Sequence, residues 1–238
     1  MNRVWAICLT AAAAGAAAQA ATGETVEKSG SFGGLTVHYK VVLPPGFDPA
    51  KSYPTILTFP GGPQTMQVVD SRLDANWRGE GEKRGYIVIS PAAPDKGLFF
   101  EGGAAAFPAF IEQILRDYHV QGGKMAITGA SNGGLSAFHI AARYPKYFTT
   151  VIGYPGMLYD SAAANMEALK PLCVYMHVGA EDSGWREDMR AQADQLKKHG
   201  VAVHFSVEPN EGHMIRALSG TGAVRLYDEL ENGLRGCK

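Results

Sequence analysis

The chain reads MAITGASNGG from Met125 to Gly134. The first four residues form an apolar run typical of a strand, and the Ala- and Leu-rich segment that begins at Asn132 has a helical pattern. Glycines stand at positions 129 and 133, two residues before and after Ser131, and this G-x-S-x-G pattern occurs once in the chain. A strand, a tight turn and a helix in that order would raise the Ser131 side chain above the end of a sheet. The alternative is a serine that only caps the helix beside two loop glycines.

The same alternation of strand and helix extends to both sides of this stretch. Short apolar runs rich in β-branched residues predict strands at residues 37–43, 55–59, 86–90, 125–128, 150–152, 174–178 and 201–207. Amphipathic segments predict helices at residues 104–118, 132–144, 185–199 and 222–234. Strands that alternate with helices predict an α/β fold, with a mostly parallel central sheet and helices on both faces. The first strand or two are the candidates for antiparallel pairing.

Residues 1–20 have the composition of an export signal. Arg3 gives a charged start, residues 4–18 are apolar, and Ala18-Gln19-Ala20 offers a small-residue cleavage site. An apolar run of about fifteen residues is shorter than the roughly twenty needed to span a bilayer. We therefore expect no stable membrane span, a signal peptide over residues 1–20, and export to the periplasm or the outside of the cell. Residues 21–238 then form a single domain.

Charge and cysteine content limit the expected partners. The formal net charge is −1 and the sequence pI is about 6.7. Because no run of Lys or Arg could follow a phosphate backbone, nucleic acid is not an expected partner. No His, Cys and Asp cluster has metal-ligand spacing, so no metal is expected. No other cofactor is expected either, because the chemistry inferred below requires none. Once the signal is removed, Cys173 and Cys237 remain; they could form a disulfide in an oxidising compartment or stay separate thiols. The sequence does not fix the oligomeric state.

Ser131 needs a base, because a serine hydroxyl is a weak nucleophile until a neighbouring group removes its proton. Among seven histidines, His213 stands in the polar loop PNEGH, directly after the last predicted strand. The other six lie within predicted strands and helices or at helix ends, where packing or solvation explains them. His213 is therefore the candidate general base, and a solvated loop histidine is the alternative.

The base in turn needs an acid to orient it. The loop GAEDSGW at residues 179–185 follows the strand predicted at 174–178, one strand before the strand that leads to His213. Asp182 in this loop gives the order nucleophile, acid, histidine along the chain. Its role would be to accept a hydrogen bond from the imidazole and hold the productive tautomer. Glu181 is the nearest rival, and Asp182 could instead only cap the following helix.

A carbonyl attacked by Ser131 would develop negative charge, which two aligned backbone N–H groups could hold. The first candidate donor is Asn132, immediately after the nucleophile. The second should come from the loop FPGGPQ at residues 59–64. Pro63 has no N–H, which leaves Gly62 or Gln64. An ordinary Pro-Gly turn is the alternative for this loop.

Four segments in chain order resemble the α/β-hydrolase family; they read LTFPGG (57–62), ITGASNGG (127–134), HVGAED (177–182) and EGH (211–213). Pro60 stands where that family often has a histidine. The segment YKVVLPPGFD (39–48) is similar to the opening strand of the small secreted esterases grouped with polyhydroxybutyrate depolymerases, feruloyl esterases and acetylxylan esterases. The resemblance implies an α/β-hydrolase fold and ester hydrolysis through an acyl-enzyme, with Ser131, Asp182 and His213 in the matching positions.

The expected substrate is a small-molecule or polymer-derived ester. The Pro- and Gly-containing loop at residues 91–103 carries Phe99 and Phe100, which could line a pocket or fold onto the core. Together with Tyr154 and Trp185 they are the candidate pocket residues, and such a pocket would suit an aromatic or apolar acyl group. A peptidase or thioesterase with the same triad is the second hypothesis, and an inactive binding module on the same scaffold is the third.

Overall fold

An eight-stranded sheet forms the centre of the computed structural model, which describes residues 22–159 and 165–237. The predicted signal peptide lies outside the described residues. The strands are β1 (Glu24–Phe32), β2 (Leu35–Leu43), β3 (Thr55–Phe59), β4 (Ile87–Pro91), β5 (Met125–Gly129), β6 (Phe148–Gly153), β7 (Cys173–Gly179) and β8 (Ala202–Glu208). Their order across the sheet is β1-β2-β4-β3-β5-β6-β7-β8.

The sheet begins antiparallel and continues parallel. β1 pairs with β2, and β2 with β4, in antiparallel register, whereas every later pair is parallel. Gly33 and Gly34 join β1 to β2 with φ values of 56° and 79°. A two-residue hairpin turn of this hand requires positive φ at both positions, which glycine adopts without steric cost. The antiparallel start agrees with the expectation for the first strands.

Helices cover both faces of the sheet. They are α1 (Met66–Arg72), α2 (Arg78–Arg84), α3 (Ala109–Asp117), α4 (Asn132–Arg143), α5 (Ser183–Lys198) and α6 (Val224–Leu234), and a π-helical turn, Leu73–Trp77, joins α1 to α2. Buried side chains of α3, α4 and α5 pack in one apolar cluster with the sheet, and those of α1, the π-helical turn and α6 pack in a second. Each face of the sheet is thus buried by its own set of helices, which confirms the predicted α/β-hydrolase architecture.

Two of the predicted helices begin later than their sequence pattern indicates. Residues 102–106 form a 3₁₀ turn, and α3 begins only at Ala109, after Pro108. Proline has no N–H to donate to the preceding turn, so the helix starts beyond it. Residues 220–223 likewise form a 3₁₀ turn that precedes α6.

Two further elements were not predicted. β1 is an edge strand whose side chains are mostly exposed or half-buried, so it lacks the apolar run that marks the central strands. The helical region from α1 to α2 carries Gly79 and Gly81, which lower its helix propensity. Its apolar contacts with the sheet and α6 stabilise it instead.

The C-terminal tail is attached to the sheet by a disulfide between Cys173, the first residue of β7, and Cys237. Their Cα atoms are 5.6 Å apart, within the range that a disulfide spans. The sequence left open whether these cysteines form a disulfide or stay separate thiols, and the structure shows the disulfide. Within residues 22–159 and 165–237, none of the helices combines the length and the apolar character that crossing a membrane requires.

Candidate active site

Ser131 lies at a sharp turn between β5 and α4. Its φ of 56° and ψ of −123° place it in a region that residues with a side chain rarely adopt. A Cβ on Gly129 would overlap the carbonyl oxygen of Gly133, and a Cβ on Gly133 would overlap that of Phe59. Only glycine therefore fits at both positions, and the strain at Ser131 is maintained by this close packing.

The turn is also held from outside by a hydrogen bond, in which the Ser131 N–H donates to the carbonyl of Pro155 at 2.7 Å. A Cβ on Gly134, in the first turn of α4, would meet the same carbonyl. The segment after β6 therefore packs directly on the turn and fixes its height above the sheet.

Ser131, His213 and Asp182 come together at the carboxyl ends of the strands. His213 Nε2 lies 2.8 Å from Ser131 Oγ, and His213 Nδ1 lies 2.7 Å from Asp182 Oδ2. With the proton on Nδ1, His213 donates to Asp182 and its Nε2 accepts from the Ser131 hydroxyl. These are the distances and order of contacts that transfer of the serine proton to the imidazole requires.

The loops that carry His213 and Asp182 are bonded to each other. The backbone N–H of Glu181 donates to the carbonyl of Glu211 at 2.9 Å. The Glu211 carboxylate then accepts the N–H groups of Arg216 and Ala217, at 3.0 and 2.8 Å, and so closes the loop around His213. The sequence did not indicate this role for Glu211, because its hydrogen-bond partners are backbone N–H groups that come together only in the folded loop.

The structure distinguishes between the two candidate acids. Glu181 is exposed, whereas the Asp182 side chain is 15% exposed and bonded to His213. Asp182 also stands at the N-cap of α5, but its side chain makes no capping hydrogen bond. The carboxylate beside the imidazole is therefore that of Asp182.

Trp185, in the first turn of α5, packs against the site. Its ring is T-shaped to that of His213, with centroids 5.2 Å apart. With this contact in place, the His213 side chain is still 42% exposed. Of the four proposed pocket residues, Trp185 is the one in contact with the triad.

The loop after β3 lies against the turn at Ser131. A Cβ on Gly61 would come within 3.5 Å of Ser131 Cβ. Gly62 has a φ of 56°, and its carbonyl accepts the side-chain amide of Asn132 at 2.9 Å. Asn132 is the first residue of α4, so its own N–H has no acceptor within the helix. Gly62 and Asn132 are thus adjacent across the site.

The proposal of Gln64 as an alternative backbone donor needs correction. Its N–H donates to the carbonyl of Gly61 at 3.2 Å, within the turn of the loop, and is not free to hold a substrate oxygen. Gln64 is also fully buried. Gly62 is therefore the candidate that remains for the second donor.

Two of the expected pocket residues belong to the core instead. Phe99 has no exposed surface and packs against Phe59 and Phe107, with ring centroids 5.1 and 5.7 Å away. Tyr154 is 4% exposed, and its hydroxyl accepts the indole N–H of Trp77 at 3.1 Å. Burial raises the pKa of Tyr154 to about 12. Both rings are enclosed by other side chains and cannot line an open pocket.

Phe100 keeps a small exposed area and forms a pair with Tyr159, which is 62% exposed. Their ring centroids are 4.8 Å apart. Tyr159 was not among the predicted residues, because nothing in its local sequence marks its contact with a loop 59 positions earlier. Of the four aromatic residues predicted to line a pocket, Trp185 is half-buried and Phe100 keeps a small exposed area.

A separate charged cluster lies between the β7–β8 edge and α6. His177 is 2% exposed; its Nδ1 lies 2.7 Å from Ser206 Oγ and 3.3 Å from Glu208, and its Nε2 lies 2.8 Å from Glu229. Arg225 donates to Glu208 at 2.8 Å. Burial alone would lower the pKa of His177, but the carboxylates of Glu208 and Glu229 outweigh it and raise the pKa. Hydrogen bonds from His177, Ser206 and Arg225 in turn lower the pKa of Glu208 to about 2 despite its burial.

Within the part of the chain that the structure describes, no group of three or more His, Cys, Asp or Glu side chains is arranged to hold a metal ion.

A family model described as "Putative esterase" matches residues 104–223, which is half of the chain. The chain belongs to this esterase family. The matched region contains Ser131, Asp182 and His213, whereas the loop at residues 59–64 precedes it. The resemblance to α/β-hydrolase esterases seen in the sequence is thereby confirmed.

Curated relatives of this chain include peptidases. Dipeptidyl-peptidase 5 of Porphyromonas gingivalis is 33% identical over 129 residues, which are 49% of this chain and 19% of that protein. Prolyl endopeptidase FAP of Mus musculus is 40% identical over 70 residues, or 29% of this chain and 9% of that protein. The chain matches a fifth or less of the length of these relatives, so their similarity concerns one segment of much larger proteins.

Solved structures of several hydrolases share the fold of this chain. An S-formylglutathione hydrolase from Agrobacterium tumefaciens superimposes with a TM-score of 0.70 at 16% identity, covering 90% of this chain and 96% of that one. A feruloyl esterase module from Clostridium thermocellum gives 0.67 at 16% identity, covering 89% and 87%. A thermostable esterase gives 0.67 at 19% identity, covering 78% and 55%. These likenesses confirm the α/β-hydrolase fold.

Proposed function

We propose that this protein is a serine hydrolase that cleaves carboxylic esters through Ser131, His213 and Asp182. The observation that carries the proposal is the chain of two short contacts, 2.8 Å from Ser131 Oγ to His213 Nε2 and 2.7 Å from His213 Nδ1 to Asp182 Oδ2. Membership of the esterase family supports the same reaction class.

In the proposed reaction, His213 Nε2 takes the proton of Ser131 as Oγ attacks the ester carbonyl. Asp182 accepts the Nδ1–H bond throughout and stabilises the imidazolium that forms. The imidazolium then gives its proton to the departing alkoxide, which leaves an acyl group on Ser131. A water molecule, deprotonated by His213 in the same way, attacks this acyl-enzyme and releases the acid.

The proposed oxyanion donors are the N–H groups of Asn132 and Gly62. The N–H of Asn132 points out of the first turn of α4, where the helix dipole adds positive potential. Gly62 is held beside it through the Asn132 side chain. Such donors accelerate the reaction because they bind the charge that exists only in the transition state and the tetrahedral intermediate.

The expected substrate is a small-molecule or polymer-derived ester, not a nucleic acid. Trp185, Phe100 and Tyr159 are the aromatic groups that we assign to substrate contact, and they would favour an apolar or aromatic acyl group. A panel of p-nitrophenyl esters of increasing chain length, with one aryl ester, tests this assignment. Equal kcat/KM across the panel would contradict it.

The direct test of the reaction class is hydrolysis of p-nitrophenyl acetate by purified wild-type protein and the Ser131→Ala variant. Removal of a triad nucleophile lowers kcat by about 10⁶-fold in serine hydrolases, so we expect the variant's rate to fall to background. Hydrolysis by the variant at the wild-type rate would exclude Ser131 as the nucleophile. Circular dichroism of both proteins serves as the control for folding.

A peptidase with the same triad is the second candidate, favoured by the 33% identity to dipeptidyl-peptidase 5. A dipeptide p-nitroanilide, a thioester and an oxygen ester, assayed in parallel at equal enzyme concentration, separate these activities. The ester proposal predicts the highest kcat/KM for the oxygen ester. A higher kcat/KM for the anilide would indicate a peptidase, and a higher kcat/KM for the thioester would indicate a thioesterase. An inactive binding module would hydrolyse none of them.

We further propose that the protein is exported, with cleavage near Ala20 and residues 21–238 forming one catalytic domain. The composition of residues 1–20 supports export, and the disulfide between Cys173 and Cys237 is of the kind that persists in oxidising compartments. The mass of the protein recovered from periplasm or medium tests this. A mass that still includes residues 1–20 would contradict the cleavage.

A further inference from the structure

The Gln64 side chain is a buried amide whose nitrogen and oxygen are both hydrogen-bonded. The residue has no exposed surface and a φ of 51°. Its side-chain Nε2 donates to Ser136 Oγ at 2.9 Å, and its Oε1 accepts the backbone N–H of Phe99 at 3.3 Å. Burying an amide costs free energy unless both ends are bonded, so these contacts stabilise a conformation that the backbone alone would not favour.

The bond from Gln64 to Ser136 is part of a closed hydrogen-bonded ring formed by Gly62, Gln64, Asn132 and Ser136. The Ser136 hydroxyl accepts from Gln64 and donates to the carbonyl of Asn132 at 2.9 Å. The Asn132 side chain donates to the carbonyl of Gly62 at 2.9 Å. The two peptide bonds between Gly62 and Gln64 complete the ring, which thus contains both residues whose N–H groups we assign to the oxyanion.

Gln64 also fixes the direction of one of these N–H groups. Its backbone N–H donates to the carbonyl of Gly61 at 3.2 Å. That carbonyl shares a peptide plane with the Gly62 N–H, and in a trans peptide the two groups point in opposite directions. Because the Gly61 carbonyl is held toward the Gln64 N–H, the Gly62 N–H points in the opposite direction. The N–H of Asn132 is fixed similarly, because the Ser131 carbonyl in its peptide accepts from Leu135 at 2.9 Å.

We propose that Gln64 and Ser136 are positioning residues for the proposed ester hydrolysis. Through the hydrogen-bonded ring they set the separation and direction of the Gly62 and Asn132 N–H groups. Neither side chain touches the reacting atoms. The inference rests on the proposed function, and it adds that the oxyanion site depends on a polar contact between residues 72 positions apart.

The ring predicts a specific kinetic effect of Ser136→Ala. This change removes one hydroxyl from the interior of α4, where alanine is a good helix former. We expect kcat for p-nitrophenyl acetate to fall about tenfold with KM changed less than about twofold, because misplaced oxyanion donors weaken binding of the transition state and not of the substrate. A kcat within twofold of wild type, or an increase in KM with kcat unchanged, would overturn the proposal.

Ser90→Ala is the matched control. Ser90 is fully buried like Ser136, but its hydroxyl has no hydrogen-bond partner among the described residues. The same chemical change outside the ring should leave kcat within about twofold of wild type. Equal losses of kcat in the two variants would show a general effect of deleting a buried hydroxyl and would also overturn the proposal. Thermal unfolding of each variant separates lost stability from lost rate.

A double mutant tests whether the ring acts as a unit. Gln64→Met preserves side-chain volume while removing the amide, and the two single changes break the same bond. Coupled residues lose activity non-additively, so Gln64→Met with Ser136→Ala should be about as slow as the slower single variant. If the fold-loss of kcat in the double variant equals the product of the two single losses, the residues act independently and the ring proposal is contradicted. If Gln64→Met does not fold, the comparison of Ser136→Ala with Ser90→Ala still decides.

Failure of this inference is distinguishable from failure of the proposed function. Loss of activity in Ser131→Ala, combined with wild-type kcat in Ser136→Ala, would retain the hydrolase assignment and reject the ring. Full activity in Ser131→Ala would reject the hydrolase assignment itself, and the ring proposal with it.

Discussion

The indole of Trp185 and the imidazole of His213 pack in a T-shaped arrangement, with ring centroids 5.2 Å apart and an angle of 61° between the planes. The contact links the first turn of α5 to the loop after β8. By packing against the imidazole, the indole can restrict rotation of the ring that contacts Asp182 and Ser131.

This contact predicts an effect of Trp185→Ala on the rate. An aromatic pair of this geometry contributes about 0.5–1.5 kcal/mol beyond its buried area, which corresponds to roughly a two- to tenfold reduction in kcat/KM for p-nitrophenyl acetate. Trp185→Phe preserves an aromatic contact and should lose less. Unchanged kcat/KM in the alanine variant would show that the indole does not orient His213.

Asp182 and Glu181 provide a matched pair for testing the acid. Asp182→Asn keeps the shape of the side chain but cannot hold the productive tautomer of His213, so kcat should fall by about 10⁴-fold. Glu181→Gln makes the same chemical change at an exposed neighbour and should leave kcat unchanged. Similar rates in the two variants, measured with one ester at one pH, would reject Asp182 as the orienting acid.

The buried cluster around His177 predicts how stability depends on pH. Because the pKa of His177 is raised in the folded protein, its contribution is complete below its unfolded pKa of about 6.5 and is lost as pH rises through the folded pKa. The pKa of Glu208 is lowered to about 2, so its contribution is present above about pH 4.5 and is lost as pH falls toward 2. Both contributions are present together between about pH 5 and 6.5.

Thermal unfolding between pH 5.5 and 9 of wild type, His177→Gln and His204→Gln measures the histidine contribution. We expect the Tm of wild type to fall more steeply above pH 6.5 than that of His177→Gln. His204, an exposed histidine of β8 whose ring stacks on Tyr175, is the control, and its variant should follow wild type. Parallel curves for all three proteins would contradict a raised pKa at His177.

The disulfide between Cys173 and Cys237 should stabilise the fold without affecting the reaction. Its closed loop spans 64 residues, for which the chain-entropy model gives about 4 kcal/mol at 25 °C. Cys173 stands at the start of β7, whereas Asp182 follows the end of that strand. Cys237→Ser should therefore lower the Tm and leave kcat at 25 °C unchanged. A large loss of kcat in a folded variant would show that the tail also supports the site.

Much of the fold was predictable because the central strands carry a strong local signal. β3, β4 and β5 are buried at every position, so each is an uninterrupted apolar or small-residue run. β1 gives no such signal, since its stability comes from pairing with β2 across a glycine turn. The edge of the sheet was therefore less predictable than its centre.

Ser131, Asp182 and His213 could be predicted because each follows a strand and because they occur in the expected order along the chain. Both features can be read from the sequence. The surroundings of those residues were not predictable in the same way. Gln64 was expected to act through its backbone, because its side-chain partner, Ser136, lies in a distant helix and resembles any polar helix residue. Phe99 and Tyr154 were expected near the substrate, but whether a loop aromatic points outward or inward depends on the packing of other elements against it.

The central claim, that Ser131 is an activated nucleophile, is tested most directly by covalent labelling. Wild-type protein and Ser131→Ala are incubated with a fluorophosphonate probe, and intact masses are measured before proteolytic mapping of the adduct. The account predicts one adduct on wild type, located on the peptide that contains Ser131, and none on the variant. Equal labelling of both proteins, or no labelling of folded wild type, would contradict it.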